Sequence, residues 1–181
     1  VLDDYRGLNA NMHTVEAFLA AADVTKEESI VSGQGGSLTM SRMGGEESLA
    51  DPEHYTSDWK ADLECSKERP DDPFKPYGAT PGHGIEWARL IAQWALSTYP
   101  QDQLAAKKYL DISEQLYGRA IKDAWNVDGA PGIVYTTDWE GKPVVHDRMH
   151  WTLAEAINTS SVLYHVTEEE YADQYAEFMR Y

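Results

Sequence analysis

Apolar residues recur at helical spacing in several stretches of this chain. Met12, Val15, Phe18, Leu19 and Ala22 fall on one stripe and predict an amphipathic helix over 11–24. Ile85, Ala88, Ile91 and Ala95 repeat the pattern over 83–97, which is entered through Thr80 and Pro81, with Gly82 leaving backbone room. From Asp102 to Trp125, the positions of Leu104, Tyr109, Ile112, Leu116 and Ile121 predict a long helix with Gly118 as a soft point. The turn-rich run from Asn126 to Gly132 ends it. Ile133–Thr137 and Pro143–His146 flank the turn Asp138–Lys142 and read as one short β-hairpin. A further helix is expected from about Trp151 to Val166. Thr167 followed by three glutamates reads as a capping-box start for a last helix, from about Glu168 to Arg180. The class these periods predict is mostly α: helices in antiparallel pairs with one hairpin.

Composition narrows the function more than the fold. A chain of 181 residues with 42% hydrophobic and 25% charged positions can bury one sizeable core. The net charge of −16 argues against nucleic acid, whose phosphates need clustered Lys and Arg, and against an anionic membrane surface. No apolar run reaches the length of a membrane span and no leader pattern is visible. The lone Cys65 excludes an internal disulfide and a cysteine-based zinc site; it fits a reducing, cytoplasmic setting. Six Trp and eleven Tyr against three Phe suit stacking on sugar faces, and equally suit helix packing with a polar tip in water.

Two titratable pairs interrupt the apolar stripes. His13 stands three residues before Glu16, and His83 three before Glu86, so each pair shares one helical face. A neutral imidazole near pH 7 both gives and takes protons, which makes His83 a candidate acid/base group with Glu86 beside it. An exposed i,i+3 pair of no catalytic use has the same spacing. His13 reads as a site residue or as a satisfied core histidine. Asn9 reads as a site residue, a cap for the following helix, or both. Trp151 and Glu155 share a face at i,i+4. Otherwise Trp151 would pack on the hairpin and leave Glu155 exposed. His54, His146, His150 and His165 read as structural or surface residues. A di-iron site needs Glu-x-x-His, and a zinc protease motif H-E-x-x-H; here the order is His-x-x-Glu, so no metal is expected.

The stretches NMHTVEAF, TPGHGIEW and YTTDWEGKPVV, with Asn9, resemble the N-acylglucosamine 2-epimerase superfamily. Within it they are most similar to the aldose–ketose isomerase branch acting on mannose or sulfoquinovose. The resemblance covers most of 5–25 and 52–181. It implies an (α/α)6 barrel, of which residues 1–181 form a single partial domain, roughly the middle half. It implies His83, His13 and Glu86 as catalytic residues and Asn9, Trp151 and Glu155 as sugar-binding ones, with no cofactor. A second acid/base histidine is implied on a later helix beyond Tyr181, so the isolated chain is expected to be inactive. The chain's start at Val1 reads the same way. Lys75 stands where a basic group meets an anionic end of a substrate, but no arginine lies between Pro70 and Arg89. That moves mannose ahead of the sulfonate sugar.

The expected activity is thus isomerisation of a mannose-like aldose to its ketose through a cis-enediol. The alternatives are a 2-epimerase of the N-acylglucosamine or cellobiose type and a non-catalytic sugar-binding or scaffold protein. The partner is a small sugar, with a homo-oligomer left open. Residues 27–50 depart from this pattern. They hold five glycines and no aromatic where the superfamily has a long helix, and each interior glycine costs a helix about 1 kcal/mol. The stretch reads as a loop, or as a shifted reading frame that returns before Pro52.

Overall fold

A computed structural model of the chain describes residues 4–27, 52–98, 100, 102–167 and 171–181. Apart from Glu27, the anomalous stretch 27–50 lies outside them. The architecture is mostly helical, with two small antiparallel strand pairs. In chain order come β1 (Arg6–Gly7), α1 (Leu8–Thr25), β2 (His54–Tyr55), α2 (Pro81–Thr98) and α3 (Gln103–Ala124). Then follow β3 (Thr136–Thr137), β4 (Pro143–Val145), α4 (His150–Thr167) and α5 (Ala172–Phe178).

Helix α2 is the centre. Pro81 is its first residue, where a missing N–H costs nothing, and from Gly84 to Ala92 every residue is buried. Two neighbours make that all-round burial workable. Helix α3 packs along one side and α4 along another, and each sends a buried hydroxyl onto an α2 carbonyl. Ser113 Oγ donates to Ala88 O at 2.6 Å and Thr159 Oγ1 to Ile85 O at 3.0 Å. Gly84 meets Ala120 Cβ, and Gly82 leaves room for the Trp151 ring, so small residues let the helices approach. Trp87, Ile85, Leu90, Tyr117, Leu163 and Phe178 fill the core, with Met12, Leu8 and Val15 of α1 on its edge. Asp102 caps α3, accepting from Ala105 N at 3.0 Å.

The strand pairs frame the entrance to α2. Ala79 and Thr137 exchange both backbone hydrogen bonds, at 2.9 and 3.0 Å, and tie the β3–β4 hairpin to the residues just ahead of Pro81. Gly78 has φ +92°, and a Cβ there would lie 2.0 Å from Thr137 O, so only glycine fits. On the other flank β1 pairs with β2, and Leu8 N–H donates to Glu53 O at 3.0 Å, seating the start of α1 against residue 53.

Three expectations need correction. The structure has a second strand pair besides the one hairpin, because β1 and β2 lie far apart in sequence and each is only two residues long. Helix α1 begins at Leu8 with Gly7 at its N-cap, so Asn9 lies inside the first turn and is not the cap. Thr167 ends α4, its hydroxyl turned back to Leu163 O, instead of starting the last helix; α5 begins at Ala172. Trp151 packs against Gly82 and His83.

Candidate active site

The N-terminal ends of α1, α2 and α4 surround a cleft of about 530 Å³. Asn9, His13 and Glu16 reach it from α1, at spacings of four and three that keep them on one face. His83 and Glu86 come from the first turns of α2, and Trp151 and Glu155 from the start of α4. All six residues singled out from the sequence line this one cavity. Tyr5, Glu53, His54, Thr80 and Tyr135 share the lining.

Two electrostatic units organise the cleft. In the first, His83 Nδ1 and Glu53 Oε1 are 2.8 Å apart, with Glu53 buried. The Trp151 ring lies over the imidazole at a centroid distance of 5.2 Å and a 31° tilt. No other hydrogen bond engages this ring among the described residues, so Nε2 remains free for a ligand. Burial pushes the His83 pKa down, but the charge and hydrogen bond of Glu53, helped by Glu86, outweigh it and leave it above the ordinary value.

The second unit is Arg89, one helical turn beyond Glu86. Its buried guanidinium donates to Glu155 Oε2 and to Glu16 Oε1, both at 2.9 Å, and lies 3.6 Å from Glu86 Oε1. One cation thus serves carboxylates from three helices. Burial pushes Glu16 up, yet hydrogen bonds from Arg89 and His13 hold it below the usual carboxylate range. Burial raises Glu86, and the nearby charge of Glu155 adds to that. His13 sits 3.4 Å from Glu16 and 3.8 Å from Glu86, more than half exposed to the cleft mouth.

His13, Glu16 and Glu86 also offer three ligand atoms within 4.8 Å of one another. The Arg89 guanidinium touches two of the three and already supplies the positive charge a dication would bring, so the donor set fits a metal poorly. Lys75 does not line the cleft; its Nζ stands 3.9 Å above the Tyr5 ring. His54 lines the cleft wall, but both ring nitrogens are engaged, Nδ1 by Tyr5 OH at 2.9 Å and Nε2 by Pro76 O at 2.8 Å.

Arg89 and Glu53 escaped the sequence reading. Arg89 did leave a signal, since His83, Glu86 and Arg89 are spaced by three and put a third charged residue on the same helical face. Glu53 left none, because its partner is thirty positions away.

This chain belongs to the N-acylglucosamine 2-epimerase family, which it matches over residues 1–181. It is 40% identical over 187 residues to a D-mannose isomerase of Pseudomonas cannabina pv. alisalensis, covering 99% of this chain and 44% of that protein. A D-mannose isomerase of Thermobifida fusca is 39% identical over 175 residues, covering 93% of this chain and 41% of its own. The fold superposes on a crystal structure of D-mannose isomerase with a TM-score of 0.85 at 30% identity, over 99% of this chain and 45% of the other. A sugar epimerase from a ruminal bacterium shares the fold at a TM-score of 0.71 and 16% identity, over 97% and 41% of the two chains. The chain therefore spans less than half the length of these relatives.

Proposed function

We propose that this chain carries one acid/base wall of an aldose–ketose isomerase that converts a mannose-like hexose to its ketose through a cis-enediol. The observation that carries the reading is the cleft itself. A half-buried histidine with one nitrogen held by a carboxylate and the other free stands beside polar groups from three helix starts. In the reaction a base takes the C2 proton, and the C2–H electron pair becomes the C1–C2 double bond. The carbonyl pair moves to O1, which is protonated. In the second half O2 loses its proton, the C2 carbonyl forms, and C1 takes a proton back. Nothing is oxidised or reduced overall, so no cofactor is required.

His83 fits one of these acid/base duties, because its free Nε2 exchanges a proton without leaving its Glu53 partner. Asn9, His13 and Glu86 offer hydrogen bonds to sugar hydroxyls and to the developing enediolate, while Trp151 and Glu155 line the cleft from the α4 side. The helices form part of an (α/α)6 barrel in a single domain; the likeness to the mannose isomerase structure supports this.

His83→Ala in the active protein is expected to lower kcat on the order of 100-fold or more while the circular dichroism spectrum is kept. Near-normal kcat in a folded variant would remove His83 from the chemistry. Product analysis separates the alternatives. Fructose from mannose supports isomerisation, glucose as main product supports 2-epimerisation, and sugar-dependent tryptophan fluorescence without turnover supports a binding protein.

A further inference from the structure

We propose that Glu53 is the positioning residue for His83: its carboxylate holds Nδ1–H and so fixes the tautomer that presents Nε2 to the cleft as the proton-accepting atom. The inference rests on the acid/base assignment of His83 made above.

A carboxylate only accepts hydrogen bonds, so the nitrogen it contacts at 2.8 Å must carry the proton. Neutral His83 then has its lone pair on Nε2. Burial and its backbone contacts hold Glu53 in place. It is 5% exposed, its own carbonyl receives Leu8 N–H at 3.0 Å, and the next residue, His54, is pinned between Tyr5 OH and Pro76 O. The opposite constraint on the imidazole comes from the Trp151 ring of α4, so the side chain has little room to flip. The same carbonyl contact places α1, with Asn9 and His13, relative to the His83 ring. One segment therefore sets both walls of the cleft.

A merely structural Glu53–His83 pair would change stability and leave the proton chemistry alone; a positioning role makes a different prediction. The charges that act on His83 are Glu53, from the segment entering β2, and Glu86, from its own helix; α4 lays the uncharged Trp151 ring over the imidazole and brings Glu155 into the same cleft, where Arg89 pairs with it, and α1 brings His13 and Glu16. Burial favours the neutral ring, and Glu53 is the main opposing influence. Without its charge, burial is opposed by Glu86 alone, and His83 should titrate at lower pH.

The test uses ring-nitrogen NMR of histidine-labelled protein, wild type and Glu53→Gln, together with the pH dependence of kcat/KM on mannose. Glutamine keeps an oxygen for Nδ1–H and removes only the charge. The expected result is an Nδ1–H tautomer for neutral His83 in the wild type. In the variant the His83 midpoint should fall by about one pH unit or more, and the acid limb of kcat/KM should move to lower pH by the same amount. Glu53→Asp, which restores the charge at shorter reach, should return the midpoint toward the wild-type value. An Nε2–H tautomer in the wild type, or a midpoint unmoved by Glu53→Gln, would overturn the proposal. If Glu53→Gln does not fold, the wild-type tautomer and the Glu53→Asp midpoint decide it. If the whole protein that carries this chain turns over no aldohexose, the isomerase reading is defeated, while the NMR arm still decides whether Glu53 governs the ring.

Discussion

Replacing Arg89 with methionine removes the guanidinium that faces three cleft carboxylates while filling much of the same volume. Glu86 is then left buried, with a side-chain exposure of 6%, beside Glu155 and Glu16. Breaking a buried ion pair on one side costs about 3–5 kcal/mol. Glu155 and Glu16, at 20% and 41% exposure, can turn partly to water, which points to the lower end, about 3 kcal/mol. For a chain of this size each kcal/mol moves Tm by about 2–4 °C, so a drop of roughly 6–12 °C is expected near neutral pH. The sign with pH follows from the carboxyls. Glu86 already titrates above its ordinary value through burial and the Glu155 charge, and losing Arg89 raises it further. A carboxyl whose folded pKa is raised costs stability once the pH exceeds its unfolded value, and protonation relieves that cost as the pH falls. The gap in Tm between wild type and variant should therefore narrow from about pH 7 to about pH 5, measured by circular dichroism melts. A gap under about 2 °C at neutral pH, or one that does not change with pH, would refute the idea that Arg89 neutralises this cluster.

Gly82→Ala places a Cβ 2.6 Å from both Trp151 Cη2 and Thr152 Cγ2. It is expected to cost about 1–3 kcal/mol and to shift the tryptophan emission by moving that ring off His83; an unchanged melt and spectrum would contradict the contact. Ser113→Ala and Thr159→Val each delete a buried hydroxyl that ties a neighbouring helix to α2. Each should lower unfolding stability by about 1 kcal/mol in urea titrations, and no loss in either would show that the α2 carbonyls gain nothing from the second bond.

The sequence made the helices legible because their apolar residues recur at helical spacing. Met12 and Val15 of α1 are buried as that spacing requires, although Phe18 on the same stripe is exposed, and Ile85, Ala88 and Ile91 lie on an α2 that is buried all round. Helix ends were harder. Thr167 looks like a cap in sequence, yet its hydroxyl prefers the carbonyl four residues back, a choice the pattern does not encode. The β1–β2 pair was invisible because two-residue strands carry no alternation to read. The same divide runs through the cleft. Residues that reach it along one helix, such as His83 with Glu86 or Trp151 with Glu155, announce themselves by spacing. Glu53 and Arg89 matter through partners on other elements, and only the folded chain brings those together.

That divide has a counterpart in time. The α2–α3 packing joins neighbours in sequence, whereas the cleft's polar contacts close far longer loops. Tyr5 meets His54 across 49 positions, and Arg89 reaches Glu155 across 66 and Glu16 across 73. The entropy of closing such loops must be met before their contacts return anything, so local helix pairs form ahead of them. A chain caught midway through folding would hold most of its helical scaffold and none of its assembled cleft. The ion pairs of the cleft should then be the last contacts to appear on refolding and the first to vanish on partial unfolding, well before the helices themselves are lost.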